Sequence, residues 1–212
     1  MKKLLTLILY CIPAFVAAQD SIFTEIMKKT ISTMDTSSTK YGLHYSANTF
    51  ERIGNTIKSE WLPFYYCAYC YVKINYMVKD DDEKDLYIDK ATDLIFIAEQ
   101  IDPNNSEIFV MKGFILQARM KVDPMTRGFK YNSDCLSMFQ KAKELDPENP
   151  RSYLWHGVNL LNTPKFFGGG KDEALPLLKK SIEKFDSFKP KSDIHPNWGR
   201  PYAEEMIAKC SK

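Results

Sequence analysis

Side chains that carry chemistry are sparse in this 212-residue chain. It has three histidines, His44, His156 and His195, scattered along its length. Their spacing builds no Ser-His-Asp or Cys-His constellation. Cys67 and Cys70 lack a second paired ligand motif, which argues against zinc. Covalent haem attachment needs a histidine directly after the second cysteine, and Tyr71 stands there. The acidic run Asp80–Asp85 lacks the glycine and terminal glutamate of a calcium loop, and reads as a linker leading into a helix N-terminus. Gly168-Gly169-Gly170-Lys171 is followed by Asp172 and preceded by a helix. A phosphate loop needs Ser or Thr after the lysine and a strand before the glycines. The glycines read instead as a tight turn with positive φ. No metal and no cofactor is expected, and no enzymatic activity.

A surplus of charge and a membrane-length apolar run are also missing. The chain has 29 basic and 27 acidic side chains. Residues 1–18 read as a signal peptide: Lys2 and Lys3, an apolar run Leu4–Val16 too short to span a bilayer comfortably, and small residues Val16 and Ala18 before the cut. Cys11 follows Tyr10, where lipidation would want a small residue. Cleavage after Ala18 removes Lys2 and Lys3, leaving 27 basic against 27 acidic groups. No basic field remains to attract nucleic acid or an anionic membrane. The mature chain is expected to be exported and periplasmic, with no membrane span.

What the chain does have is a repeat. At a shift of 44, Asp146-Pro147-Glu148-Asn149 falls on Asp102-Pro103-Asn104-Asn105. Gly157 falls on Gly113, Tyr153 on Phe109 and Leu160 on Leu116. Before each Asp-Pro lies a helix with small and large residues at fixed spacing: Ala91, Ile95, Ala98, then Cys135, Phe139, Ala142. A third helix has Ala174, Leu178 and Ser181. Residues three and four apart share one helix face, and small ones let a neighbouring helix come close. Proline ends the helix. Each unit is a helical hairpin that cannot cover its own apolar face, so copies must stack.

The pattern Tyr153, His156-Gly157, Leu160, with Cys135, Phe139, Ala142 and Pro147, resembles the tetratricopeptide repeat (TPR). The likeness spans about Trp61 to Phe185. Lys112 and His156 replace the usual leucine, and Tyr69 a glycine. The period is 44 against about 34 in a standard repeat; the excess is expected in links at Asp80–Asp85 and Lys121–Asp134. The runs SANTFERIG, EWLPFYYCAYCYV, NTPKFFGGG and FKPKSDIHPNWG resemble a family of small secreted TPR proteins without established activity. NTPKFFGGG is also similar to part of the periplasmic TPR component of some TRAP-type transporters.

The expected fold is an all-α, TPR-like helical-hairpin solenoid of about three repeats. An N-terminal helix pair (19–60) precedes the repeats (61–189), and a capping segment with a short helix (190–212) follows. Trp198 is expected to seal the last repeat. Arg127 reads as a strut rather than a partner-facing charge. Cys67-Ala68-Tyr69-Cys70 has redox-motif spacing, but it lies mid-helix with no strand before it. Buried thiols are favoured, with a thiol oxidoreductase kept as an alternative.

The resemblance implies that the first helices line a concave groove. Tyr66, Lys73, Phe114, Gln117 and Leu154 are its candidate partner-binding residues. Some TPR domains grip a peptide carboxylate there with polar side chains. Mostly apolar and aromatic residues stand here, so the groove suits an apolar or helical segment, unless the N-terminal helices fill it. The primary functional expectation is a non-enzymatic periplasmic scaffold for a protein or peptide partner. The alternative is a transporter-associated helper with a small-molecule pocket.

Overall fold

The computed structural model describes residues 21–210. The signal peptide, its cleavage after Ala18 and Cys11 lie outside the described residues. Among the described residues there are helices and no strands: α1 (residues 21–36), α2 (Lys40–Thr56), α3 (Leu62–Asn75), α4 (Asp81–Ile101), α5 (Ser106–Val122), α6 (Pro124–Leu145), α7 (Pro150–Asn162), α8 (Lys171–Ser187) and α9 (Arg200–Cys210). A 3-10 turn, Lys165–Phe167, precedes α8. The fold is an all-α, TPR-like helical solenoid.

Helices α3 and α4, α5 and α6, and α7 and α8 form the hairpins; α3, α5 and α7 lie side by side as an inner layer. The repeated turn sets each junction. Asp102 and Asp146 end the helices before them with non-helical backbone, ψ of 80° and 95°, in keeping with the bias of a residue before proline. Asn105 and Asn149 then cap α5 and α7, their side chains accepting from the backbone N–H of Glu107 and Arg151. Asp80, at the start of the acidic run, caps α4 the same way, and Asp81, Asp82 and Glu83 fill its first turn.

Inside each hairpin the small residue admits the large one. A Cβ on Gly113 would lie 2.3 Å from Phe139 Cε1, and one on Gly157 would lie 2.9 Å from Leu178 Cγ. Both glycines therefore do the same work in successive units. Cys135, Phe139, Ala142, Ala174, Leu178 and Ser181 are all buried against them.

The extra length of the repeat is placed differently from expectation. Lys121–Asp134 is not a loop. Asp123 alone separates α5 from α6, caps α6 by accepting from Thr126 N–H, and Pro124 occupies the first turn. The surplus residues lengthen the outer helices, so α4 has 21 residues and α6 has 22. Arg127 braces this extension: its guanidinium holds Asp85 of α4 through both nitrogens at 2.5 and 2.6 Å.

Thr163 to Gly170 makes the turn before α8. Gly170 N–H donates to Leu160 C=O at 2.8 Å, at the end of α7. Gly168 and Gly170 adopt φ of 79° and 111°, the left-handed region that glycine reaches without strain. Pro176 is the sixth residue of α8, inside the helix, where its missing N–H leaves one i→i−4 bond unmade.

Candidate functional site

The C-terminal segment, rather than the N-terminal helices alone, occupies the inner face. After α8 the chain doubles back across the inner layer before entering α9. Tyr66 of α3 donates from its hydroxyl to Ile194 C=O at 2.9 Å, and Lys28 of α1 pairs with Asp193. Trp198 stacks on Tyr69 of α3, with centroids 4.4 Å apart and rings 16° from parallel. Trp198 thus seals the inner layer as far as the first repeat. The end of the stack is covered by α9, which packs on α8 and buries Ala203 and Met206.

A buried polar ring fastens this segment. Glu107 and Arg151 fall on each other at the 44-residue shift, one repeat apart, and both are buried. Arg151 Nε donates to both Glu107 oxygens at 3.0 and 2.8 Å, and Nη2 donates to Oε1 at 2.6 Å. Asn149 adds a bond to Glu107 at 2.8 Å. Arg151 Nη1 donates to Trp198 C=O at 3.3 Å. The Trp198 indole N–H donates to Tyr65 Oη at 3.2 Å, and Tyr65 donates on to Glu107 at 3.4 Å. Burial holds the Tyr65 phenol protonated, as this role requires. The loop closes through α3, α5, α7 and the tail. Such a pair is held in place because removing either partner strands a buried charge. Neither Glu107 nor Arg151 was a sequence candidate; opposite charges at matching repeat positions were the available signal.

Beside Trp198 the tail leaves a cleft open. Tyr69, Lys73, Tyr76, Phe114, Lys121, Trp155, Trp198 and Tyr202 line most of its wall, which encloses about 430 Å³. That lies within the usual range of small-molecule sites, about 300–1,000 Å³. Every residue of α3 is buried except two, Tyr69 and Lys73, and both line the cleft. Phe114 stacks on Trp155 at 3.8 Å, Tyr76 on Phe114 at 6.0 Å, and Tyr202 lies 5.4 Å from Trp155. These faces favour a flat conjugated ring. Lys73 lies 5.7 Å from the Tyr69 centroid and Lys121 4.9 Å from that of Tyr76. The Lys121 pKa is pushed down by its desolvated surroundings and by Lys209. The indole N–H of Trp155 is buried and has no hydrogen-bond partner.

Of the five sequence candidates, the structure brings Lys73 and Phe114 together in this cleft. Tyr66, Gln117 and Leu154 are elsewhere and buried. Gln117 donates to Trp155 C=O at 2.7 Å, and the Tyr66 hydroxyl is spent on Ile194. None of these three lines the cleft. Spacing within a repeat picked out the inner face correctly, but it had no means of knowing that residues 188–199 would cover much of it. The same blindness hid Tyr76, Lys121, Trp155 and Tyr202. Trp155 and Tyr202 carried an aromatic signal, whereas Lys121 carried none.

Cys67, Cys70 and Cys135 are buried and free. Burial pushes the Cys70 pKa up to about 12, and those of Cys67 and Cys135 rise for the same reason. A redox dithiol needs the opposite shift. Among the described residues no cluster of His, Cys, Asp and Glu is placed to hold a metal ion, and no helix is long and apolar enough to cross a membrane.

The sequence matches no described family and none of the curated proteins. Fold and repeat together define a TPR-like helical protein. Among solved structures it is similar to a thermophilic TPR protein of Thermus thermophilus, with 13% identity over 92% of this chain and 93% of that one, TM-score 0.55. It is also similar to the HusA haemophore of Porphyromonas gingivalis, with 29% identity over 89% of this chain and 92% of that one, TM-score 0.80.

Proposed function

We propose that this is an exported, non-enzymatic binding protein whose cleft takes a flat conjugated small molecule of the haem class. The observation that carries the reading is the wall of stacked aromatics at Tyr69, Trp198, Phe114, Trp155, Tyr76 and Tyr202. The likeness to a haemophore supports haem as the first ligand to test. The residues present fit the macrocycle: its faces would lie against aromatic rings, where apolar burial and offset stacking both contribute. They do not offer the metal much. The cleft lining contains no histidine, cysteine or methionine, and burial raises the Tyr69 and Tyr76 phenols far above neutral pH. Binding rests on the ring, with the solenoid as a rigid mount.

Titration with haemin, followed by its Soret band and by quenching of tryptophan fluorescence, tests this. Saturation at one equivalent is expected. Tyr76 is 43% exposed, so Tyr76→Asp leaves the core intact; it should weaken binding about tenfold. Absence of a saturable spectral change would rule the reading out.

A protein partner is the second reading, supported by the TPR-like fold and by one surface patch. Phe166 and Phe167 in the turn before α8, with Phe129 and Met125 on α6, are exposed together; Phe129 and Phe167 meet edge to face at 5.2 Å. Replacing Phe166 and Phe167 with serine should then abolish a crosslinked partner while leaving haemin binding unchanged; an unaltered crosslink would exclude the patch.

A further inference from the structure

Some lysines on this surface meet carboxylates. Lys84 pairs with Asp81, Lys112 with Glu99, Lys180 with Glu183 and Lys209 with Glu205. The two at the cleft are not among these, and both stand beside aromatic rings. Among the described residues neither Lys73 nor Lys121 has a carboxylate within ion-pair distance. Lys73 donates to Met34 C=O at 3.1 Å, at the end of α1, which uses one of its three ammonium protons. Burial raises the pKa of Asp35, and Lys73 lies close enough to lower it against that rise, but the two form no ion pair. Lys121 sits over the Tyr76 ring, and the charge felt most strongly there is another cation, Lys209.

The helices explain why both cations reach one cleft. Tyr69, Lys73 and Tyr76 follow at i, i+4 and i+7, one stripe along α3 and its C-cap. Phe114 and Lys121 follow at i and i+7 on α5, next to it. Each helix therefore contributes an aromatic face and an ammonium to the same wall. Aromatic faces without a cation would suit any flat apolar ring. Two ammonium groups that, among the described residues, form no ion pair add a demand for negative charge at the ring's edge.

We propose that Lys73 and Lys121 make the cleft selective for a planar ring bearing carboxylates, a dicarboxylic porphyrin, over the same ring with its carboxylates esterified. This rests on the cleft being the ligand site. Each ammonium would receive a carboxylate oxygen in a charge-assisted hydrogen bond, in a setting less screened than open solvent.

The test compares iron protoporphyrin IX with its dimethyl ester, each titrated into the intact protein, into Lys73→Met, into Lys121→Met and into the double variant carrying both. Methionine keeps the apolar stem and removes the charge; circular dichroism confirms the fold. For the diacid, each substitution should weaken binding roughly tenfold to a hundredfold. The ester should bind the native protein as weakly as the diacid binds the double variant, and should be indifferent to the substitutions. Raising salt should weaken the diacid more than the ester. Equal affinity for diacid and ester, or equal losses for both in the variants, would overturn the role of the lysines while leaving the aromatic cleft as the binding site. Failure of both ligands to bind would overturn the site itself.

Discussion

Arg151→Met places the sharpest demand on the structure. Arg151 is fully buried, and Glu107 is 3% exposed. Truncating the guanidinium leaves the carboxylate in the interior with Asn149 as its one close donor and Tyr65 at 3.4 Å. Breaking a buried pair from one side costs about 3–5 kcal/mol. Asn149 offsets part of this, so a loss of about 3 kcal/mol is expected. For a chain of this size each kcal/mol moves Tm by about 2–4 °C, so the melting temperature should fall by roughly 6–12 °C. Arg151→Lys should recover little, because an ammonium cannot span both carboxylate oxygens and also reach Trp198 C=O. Removing both charges, as Glu107→Leu with Arg151→Met, should be much less damaging than the sum of the single changes. Urea unfolding of the four proteins supplies the cycle. The tail gives a second readout. Arg151 also faces the Phe188 ring at 4.6 Å and holds the Trp198 carbonyl, so the single variant should expose Trp198 and shift its fluorescence to longer wavelength. A loss below about 1 kcal/mol would be the value of a solvent-exposed pair. That result, with unchanged fluorescence, would mean that the tail does not close over the inner layer.

Two further predictions follow from packing and titration. Gly113→Ala would drive a methyl into the Phe139 ring and should cost about 1–3 kcal/mol, whereas Gly128→Ala, inside α6 with open space around it, should gain about 0.5–1 kcal/mol; thermal melts of the two separate crowding from propensity. Burial and the Lys143 ammonium 2.9 Å away hold His156 down to a pKa of about 4. The unfolded chain therefore binds this proton first as pH falls. The stabilisation is complete above about pH 6.5 and is lost progressively toward pH 4. Screening on its solvent side reduces the effect to roughly 1–2 kcal/mol, and His156→Gln should remove that part of the acid dependence in unfolding titrations.

The repeat was legible because it is local. Gly113 and Gly157, the Asp-Pro turns and the Ala-x3-large-x2-Ala helices each act within one hairpin, so their spacing along the chain states their spacing in space. Lys121–Asp134 was misread as a link because a proline and a glycine punctuate it. Pro124 instead begins a helix at its first turn, and Gly128 is tolerated inside it. Lys73 and Phe114 were legible as inner-face residues. Tyr66, Gln117 and Leu154 share that face but do not reach the cleft, because other parts of the chain lie over them.

The order of amino acids, by itself, determined the helices, their pairing and the identity of the inner layer, since periodicity and capping are decided within a few turns. Only the tertiary structure decided what the inner layer is for. The course of residues 188–199, the ring joining Tyr65, Glu107, Arg151 and Trp198, and the opening left beside it depend on groups more than forty residues apart. No local pattern reports such meetings, because their free energy comes from burying a charge pair and stacking aromatic faces that approach each other only when the solenoid has formed.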